Sequence, residues 1–314
     1  MRITIPSNEI MFGKGASCFD AFRYLQTWLL VMTKDFPNKY KACIVDDIDS
    51  MEANFICEIV NNLSSLFLLC TSQNKDYSAA AVLCRAIADR VVILKLIYAN
   101  NDSKERTYRY YLYLLDGMKK REKMLKDKIE YNSKISQQEY GELIKQIDNA
   151  RENAKDVVGH CIEVLNQHEY VNLDPKFHDA VVKDSNWQYQ KFGRLGKNNK
   201  VAKYKWEELY AILDNRDTVI SMFSTYLSQF VHGLSMVCIP GQNEFENFDC
   251  LMGVGVSLQG VVISVLKSHF CINGDFLKNL TGSDLEMITS QLSDEYLAEV
   301  IIGMSEHLSD SKNH

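Results

Sequence analysis

Arg85 and Asp89 are charged residues four positions apart in a mostly apolar stretch, residues 77–98, where only Arg90 and Lys95 add further charges. Residues at this spacing share one face of a helix. A helix this apolar is expected to be buried, and a buried charged group is costly unless it is paired or has a functional role. The spacing therefore predicts either an ion pair that specifies core packing or a site that binds an anionic group.

A second polar set lies on a helix predicted in the C-terminal third of the chain. Its members are Ser221, Thr225, Ser228 and His232. Their spacing places them along one face of a helix whose other positions are mainly apolar. His232 is interpreted either as a histidine of the core or surface, or as part of one site with Arg85 and Asp89.

Residues 191–205 form a basic segment that has no acidic residue. Its cations are Lys191, Arg194, Lys197, Lys200, Lys203 and Lys205. Such a segment either binds the phosphates of a nucleic acid or is a solvated loop. Arg109 lies among tyrosines that could stack on bases while it contacts phosphates, although tyrosines at this spacing also pack helical bundles.

The elements that would position these residues are helical almost throughout. Apolar residues recur at three- and four-residue steps, and strand signals are nearly absent. The predicted helix N-caps are Ser17, Asp76, Asp102 or Ser103, Ser136, and Thr281 or Ser283. The sequence therefore predicts an all-α fold, a multi-helix bundle of long antiparallel helices with one long basic loop.

The chain is expected to form a single helical domain over residues 1–314. Its predicted parts are a leader at 1–16, a long-helix bundle at 17–170, a loop with room for one short helix at 171–205, bundle helices carrying His232 at 206–272, and a C-terminal helix at 281–309.

Composition narrows the class of protein. Of the 314 residues, 46% are hydrophobic, which is enough for a sizeable core. The net charge of −6 argues against a protein that coats nucleic acid or acidic membranes through its overall field, so an anionic ligand must be bound locally. Nine scattered cysteines without a CxxC pair are typical of reduced thiols, and no apolar stretch is a clean membrane span. We expect a cytoplasmic protein without a membrane anchor, a metal site or a cofactor.

Three motifs in combination resemble a known family. They are AAAVLCRAIAD around Arg85, the tyrosine-rich basic helix YRYYLYLLDGMKKREK, and WEELYAIL followed by STYLSQFVHG. Together they resemble a bacterial all-helical family of unknown function that has been compared with abortive-infection proteins. The chain is more loosely similar to HEPN domains, many of which are metal-independent endoribonucleases. It departs from the HEPN pattern because no arginine shortly precedes His232 on the same helix, and Asp89 stands where glutamate is expected.

The resemblance implies a catalytic site made from two helices. His232 would act as the general base on a ribose 2′-hydroxyl, Arg85 would stabilise the phosphate, and Asp89 would hold Arg85 in place. Ser228 or Tyr226 would orient the phosphate.

The expected function is therefore that of a prokaryotic defence or toxin-like protein that binds RNA and could cleave it without a metal ion. The alternative is a noncatalytic helical module that binds a protein partner or a nucleotide. Self-association is compatible with both.

Overall fold

The computed structural model describes most of the chain, and α-helices dominate the described part. The described residues are 11–41, 44–125, 130–131, 134–196, 200–213, 219–231, 247–270, 276, 279–294 and 296–297, with the backbone alone at 219, 221 and 222. Within these ranges, β structure is confined to two isolated bridges. The all-α prediction is confirmed.

The helices are, in chain order, α1 (Cys18–Thr33), α2 (Phe36–Lys39), α3 (Ile48–Thr71), α4 (Tyr77–Ile93, extended by the π-helical turn Leu94–Tyr98), α5 (Ser103–Met124), α6 (Gln137–Gln167), α7 (Tyr170–Leu173), α8 (Pro175–Asp184), α9 (Trp206–Ala211), α10 (Val219–Val231), α11 (Phe248–His269) and α12 (Gly282–Thr289).

The described chain divides into two compact units, and the single domain expected from the sequence stays a prediction. Unit 1 takes its described residues from Met1–Ala99 and Glu207–His314, and unit 2 takes them from Asn100–Trp206. Unit 2 is therefore one continuous segment of chain, inserted between the two segments that make up unit 1.

The predicted helix starts are confirmed by the caps. Ser17 and Ser136 both form capping boxes with an acidic residue three positions later. The side chains of Asp76 and Asp102 accept hydrogen bonds from backbone amides in the first turns of α4 and α5. These caps satisfy amide groups that would otherwise lack intrahelical partners, which is why they are readable from local sequence.

The helices α1 and α3 of unit 1 are antiparallel neighbours. The ring of Phe22 on α1 stacks on Phe67 near the end of α3, with centroids 5.7 Å apart. Farther along α1, Gln26 Nε2 donates to the backbone oxygen of Val60, 2.9 Å away. The helices α3 and α4 also run in opposite directions, since Glu58 pairs with Arg90 while Phe55 contacts Tyr98.

The antiparallel prediction fails for α1 and α11, which pack in parallel. The backbone amide of Cys18 donates to Asp249 at the starts of the two helices, 3.1 Å away. Gln259 Nε2 donates to the backbone oxygen of Phe22 at 3.1 Å, about one turn farther along α1 and nearly three turns farther along α11. Only short connections oblige helical neighbours to be antiparallel, and these helices lie more than 200 residues apart in sequence.

Among the described residues, two helices of unit 1 are long and apolar enough to cross a membrane. They are α3 and α11, and 39% and 50% of their most apolar windows are buried inside the fold. Core helices satisfy the same criteria of length and composition, so this is weak support for a membrane span.

Unit 2 is built on an antiparallel helical hairpin of α5 and α6. Arg151 Nε donates to the backbone oxygen of Leu125 at one end, and the rings of Tyr111 and His160 meet farther along. The rings of Tyr108, Tyr110 and Tyr111 are buried, which supports the packing alternative for these tyrosines. The Tyr108 hydroxyl lies 3.0 Å from Nδ1 of His178, a fully enclosed histidine whose pKa burial lowers.

The loop predicted over residues 171–205 allowed for one short helix, which is present, but the segment contains more regular structure than predicted. It contains α7, the ten-residue helix α8 and an antiparallel ribbon, in which Tyr189 is bridged to Lys203 and Leu195 to Val201. The Asp174 side chain caps α8 and Pro175 occupies its first turn, a local helix-start signal that the sequence does contain. The ribbon lacks a comparable signal, because its pairing joins short segments with no alternating apolar pattern.

Candidate functional site

Arg85 lies on α4 where the helices α9 and α10 approach it. Its Nε is 3.2 Å from Asp89 Oδ1, and one terminal nitrogen donates to the backbone oxygen of Ser224 at 2.7 Å. The ring centre of Tyr210 lies 4.6 Å from the guanidinium carbon, a cation–π distance. The structure therefore holds Arg85 through contacts with three different elements, its own helix included.

Asp89 forms the acidic side of this cluster, which we call the Arg85 cluster (Arg85, Asp89, Tyr210, Ser224 and Ser228). The Tyr210 hydroxyl donates to Asp89 Oδ1, the same oxygen that faces Arg85. Burial raises the pKa of Asp89, against the hydrogen bond from Tyr210 and the charge of Arg85. Burial and the bond to Asp89 raise the pKa of Tyr210, so its hydroxyl stays protonated and acts as a donor.

The Arg85 cluster is less deeply buried than the apolar sequence suggests. The side chain of Arg85 is 13% exposed and that of Asp89 is 32% exposed. Asp89 therefore reaches solvent and could accept a proton from a bound molecule. Tyr210 is 1% exposed and was missed as a site residue, because a single tyrosine on a short helix carries no spacing signal.

Ser228 and Tyr226, the two residues of α10 predicted to orient the phosphate, have different surroundings. Ser228 belongs to the cluster, since its Oγ donates to the same Ser224 oxygen at 2.9 Å. Tyr226 contacts the rings of Phe223 and Phe230, and its hydroxyl bonds to that of Tyr77. Tyr77 lies eight residues from Arg85 along α4, a rise of roughly 12 Å. Tyr226 is therefore directed to the start of α4 and not to the guanidinium.

His232 lies outside the described residues, so its juxtaposition with Arg85 stays a prediction. The direction in which α10 runs along α4 is relevant to this prediction. Phe230 contacts Tyr77, with ring centroids 5.5 Å apart, whereas Ser224 contacts Arg85. The helices α4 and α10 are thus antiparallel, and α10 approaches the start of α4 as it nears position 231.

The basic segment of unit 2 is a charged ribbon in its described part. Lys191, Arg194, Lys200 and Lys203 are exposed, and within the described chain none of these four side chains has a hydrogen-bond or ion-pair partner. Lys205 is exposed and has an interaction of its own, and Lys197 lies outside the described residues. Four cations of one ribbon are therefore left without an internal counter-charge.

Arg109 must be removed from the predicted nucleic-acid interface. Its side chain is 4% exposed and pairs with Glu105 at 2.7 Å. The other two guanidinium nitrogens donate to the backbone oxygens of Trp187 and Tyr189, at 2.7 and 2.9 Å. Its guanidinium also stacks 3.8 Å from the Tyr189 ring centre. With every nitrogen engaged inside the core, Arg109 holds the ribbon to α5 and cannot reach a phosphate.

Across the part of the chain that the structure describes, no three histidine, cysteine or acidic side chains are grouped so as to hold a metal ion. Comparisons with protein-family models, with curated proteins and with solved structures find no match to this chain.

Proposed function

We propose that this chain is a helical protein of the prokaryotic defence type that binds RNA through the ribbon of unit 2. The observation that carries the proposal is the set of exposed cations without partners, Lys191, Arg194, Lys200 and Lys203. Other exposed lysines of unit 2, such as Lys145 and Lys155, also lack partners, but they lie among acidic residues on α6, whereas residues 191–205 contain no acid. Cations without internal partners on one ribbon favour binding of an external polyanion. Because the whole chain carries a net charge of −6, such binding must depend on this ribbon and not on the overall field of the protein.

Replacing Lys191, Lys200 and Lys203 together with alanine is expected to weaken RNA binding and its salt dependence. Each cation that neutralises a phosphate of a single strand contributes about 0.7 to the slope of log affinity against log salt. The triple variant should therefore lose about 2 from the magnitude of this slope. Fluorescence anisotropy of a labelled single-stranded RNA between about 50 and 200 mM salt measures it.

The matched control is the triple alanine variant at Lys145, Lys155 and Lys176, which removes the same charge from exposed positions of unit 2 outside the ribbon. This control should keep most of the wild-type slope. Equal slopes for the two triple variants would mean that net charge alone acts, and absence of binding by the wild type at low salt would refute the proposal.

A second proposal concerns catalysis: the Arg85 cluster cleaves bound RNA without a metal ion. It is supported by a guanidinium held in position beside a partly exposed carboxylate whose pKa is raised. A fixed cation can stabilise the charge of a phosphorane transition state, and a carboxylate of raised pKa is a better proton acceptor. The two candidates for the general base are Asp89 and His232, and a His232 variant distinguishes them.

Arg85→Lys is expected to lower EDTA-resistant cleavage of a labelled RNA by about 100-fold, because lysine keeps the charge but loses the fixed fork of donors. Arg90→Lys on the same helix is the control, since Arg90 pairs with Glu58 near the surface. His232→Ala then assigns the base: unchanged cleavage indicates Asp89. Cleavage that is equal in the Arg85 and Arg90 variants would exclude the cluster as the catalytic site.

A protein partner, self-association and a cytoplasmic location stay predictions from the sequence.

A further inference from the structure

A cavity of about 550 Å³ lies inside unit 2, between the ribbon, α5 and the end of α8. This volume is within the range of small-ligand sites. Lys119 shapes one wall, because its ammonium group donates to the backbone oxygens of Val182 and Lys183 and to Ser185 Oγ. These bonds hold the last turn of α8 against α5, so the cavity is bounded by fixed elements.

The ribbon side of the cavity is positive. Lys200 and Lys203 line it, and neither ammonium group has a partner among the described residues. Two uncompensated ammonium groups facing one space favour an anion that both can reach, and a phosphate group offers several acceptor oxygens for them.

The helical side of the cavity carries two carboxylates, one of them paired with the ammonium group of Lys120. Trp187 Nε1 and Lys120 Nζ both donate to Oδ2 of Asp116, at 3.2 and 2.8 Å. Asp184 also lines the cavity, and no described group donates a hydrogen bond to its carboxylate. Trp187 and Val201 also line the cavity and add apolar surface to it. A ligand that fills this space must combine an anionic group, an apolar ring and a hydrogen-bond donor.

We propose that this cavity accepts one nucleotide of a bound single-stranded RNA, with its phosphate on Lys200 and Lys203 and its base amino group donating to Asp184. The inference rests on the proposed RNA binding and adds base selectivity to it. Carboxylates read the exocyclic amine of cytosine, whereas uracil presents an acceptor at the same position. The cavity should therefore favour cytosine over uracil.

The test compares labelled oligocytidylate with oligouridylate, two single strands that differ at this position of the base. We expect the wild type to bind oligocytidylate about tenfold more tightly. Asp184→Asn should abolish this preference, because an amide side chain can both donate and accept, and it should leave the salt dependence unchanged. Asp179→Asn on the same helix is the control, since Asp179 is exposed and does not line the cavity.

The outcomes separate this inference from the proposed function. RNA binding without a cytosine preference, or with a preference that Asp184→Asn leaves intact, would overturn the nucleotide site while RNA binding by the ribbon stands. Failure of the wild type to bind either strand at low salt would refute RNA binding itself. Thermal melting of both aspartate variants checks that each is folded, which is expected because both residues are exposed.

Discussion

Arg109→Ala is expected to lower the free energy of unfolding of unit 2 by about 3–5 kcal/mol, the cost of breaking a buried ion pair by removing one partner. The substitution leaves the Glu105 carboxylate, 16% exposed, without its cation. It also removes the donors to the backbone oxygens of Trp187 and Tyr189, which lie in the core. Urea unfolding followed by tryptophan fluorescence measures the loss of stability, since Trp187 is in direct contact with Arg109.

The control is Arg121→Ala on the same helix, where the arginine is exposed. A surface substitution of this kind should change stability by no more than about 0.5 kcal/mol. If both alanine variants unfold at the same urea concentration as the wild type, Arg109 does not hold the ribbon, and its assignment to the core would be wrong.

Gly255→Ala is expected to destabilise unit 1 by about 1–3 kcal/mol through overpacking. A methyl group at this position of α11 would lie 2.7 Å from Phe22 Cδ2, well inside contact distance. The Phe22 ring is fully buried and stacked on Phe67, so it cannot turn away into solvent. Thermal or urea unfolding of the two proteins measures the difference.

Gly260→Ala is the matched control on the same helix, and its effect on stability should have the opposite sign. Gly260 is exposed, and a methyl group there would meet no atom within 4 Å. Alanine gains up to about 1 kcal/mol over glycine in a helix interior, so this variant should be more stable than the wild type. A stabilising effect at both glycines would contradict the close packing of α1 on α11.

The double variant Gly255→Ala with Phe22→Leu tests whether the two residues clash directly. Leucine vacates part of the space that the added methyl group requires. We expect the double variant to be more stable than the sum of the two single effects, by about 0.5 kcal/mol or more.

Local features of this chain are predictable from its sequence. Ser17, Asp76 and Ser136 are correct helix caps because a cap depends on a residue and its neighbours within one turn. The pair of Arg85 and Asp89 is predictable for the same reason, since four residues of helix bring the side chains together. The helix α8 has an equally local signal at Asp174 and Pro175, which the turn-forming residues around Gly193, Gly196 and Asn198 in the following segment obscure.

Features that depend on distant contacts are not predictable in this way. The sequence does not distinguish Arg109 from Arg121, because the difference lies in backbone oxygens about 80 residues farther along the chain. Tyr210 joins the Arg85 cluster from 121 residues beyond Asp89. The parallel order of α1 and α11 likewise follows from tertiary packing and leaves no mark in either helix alone.

The parallel contact between α1 and α11 also determines when the core of unit 1 can close during synthesis. Phe22 and Gln259, which meet in this contact, are 237 residues apart. At a ribosomal rate of about 5–20 residues per second, the second residue is made roughly 12–47 s after the first. During this interval the apolar face of α1 has no partner from α11, while the continuous segment of unit 2 can already fold. We therefore expect the face of α1 that packs on α11 to stay exposed on the nascent chain for many seconds, and to bind chaperones that recognise apolar segments.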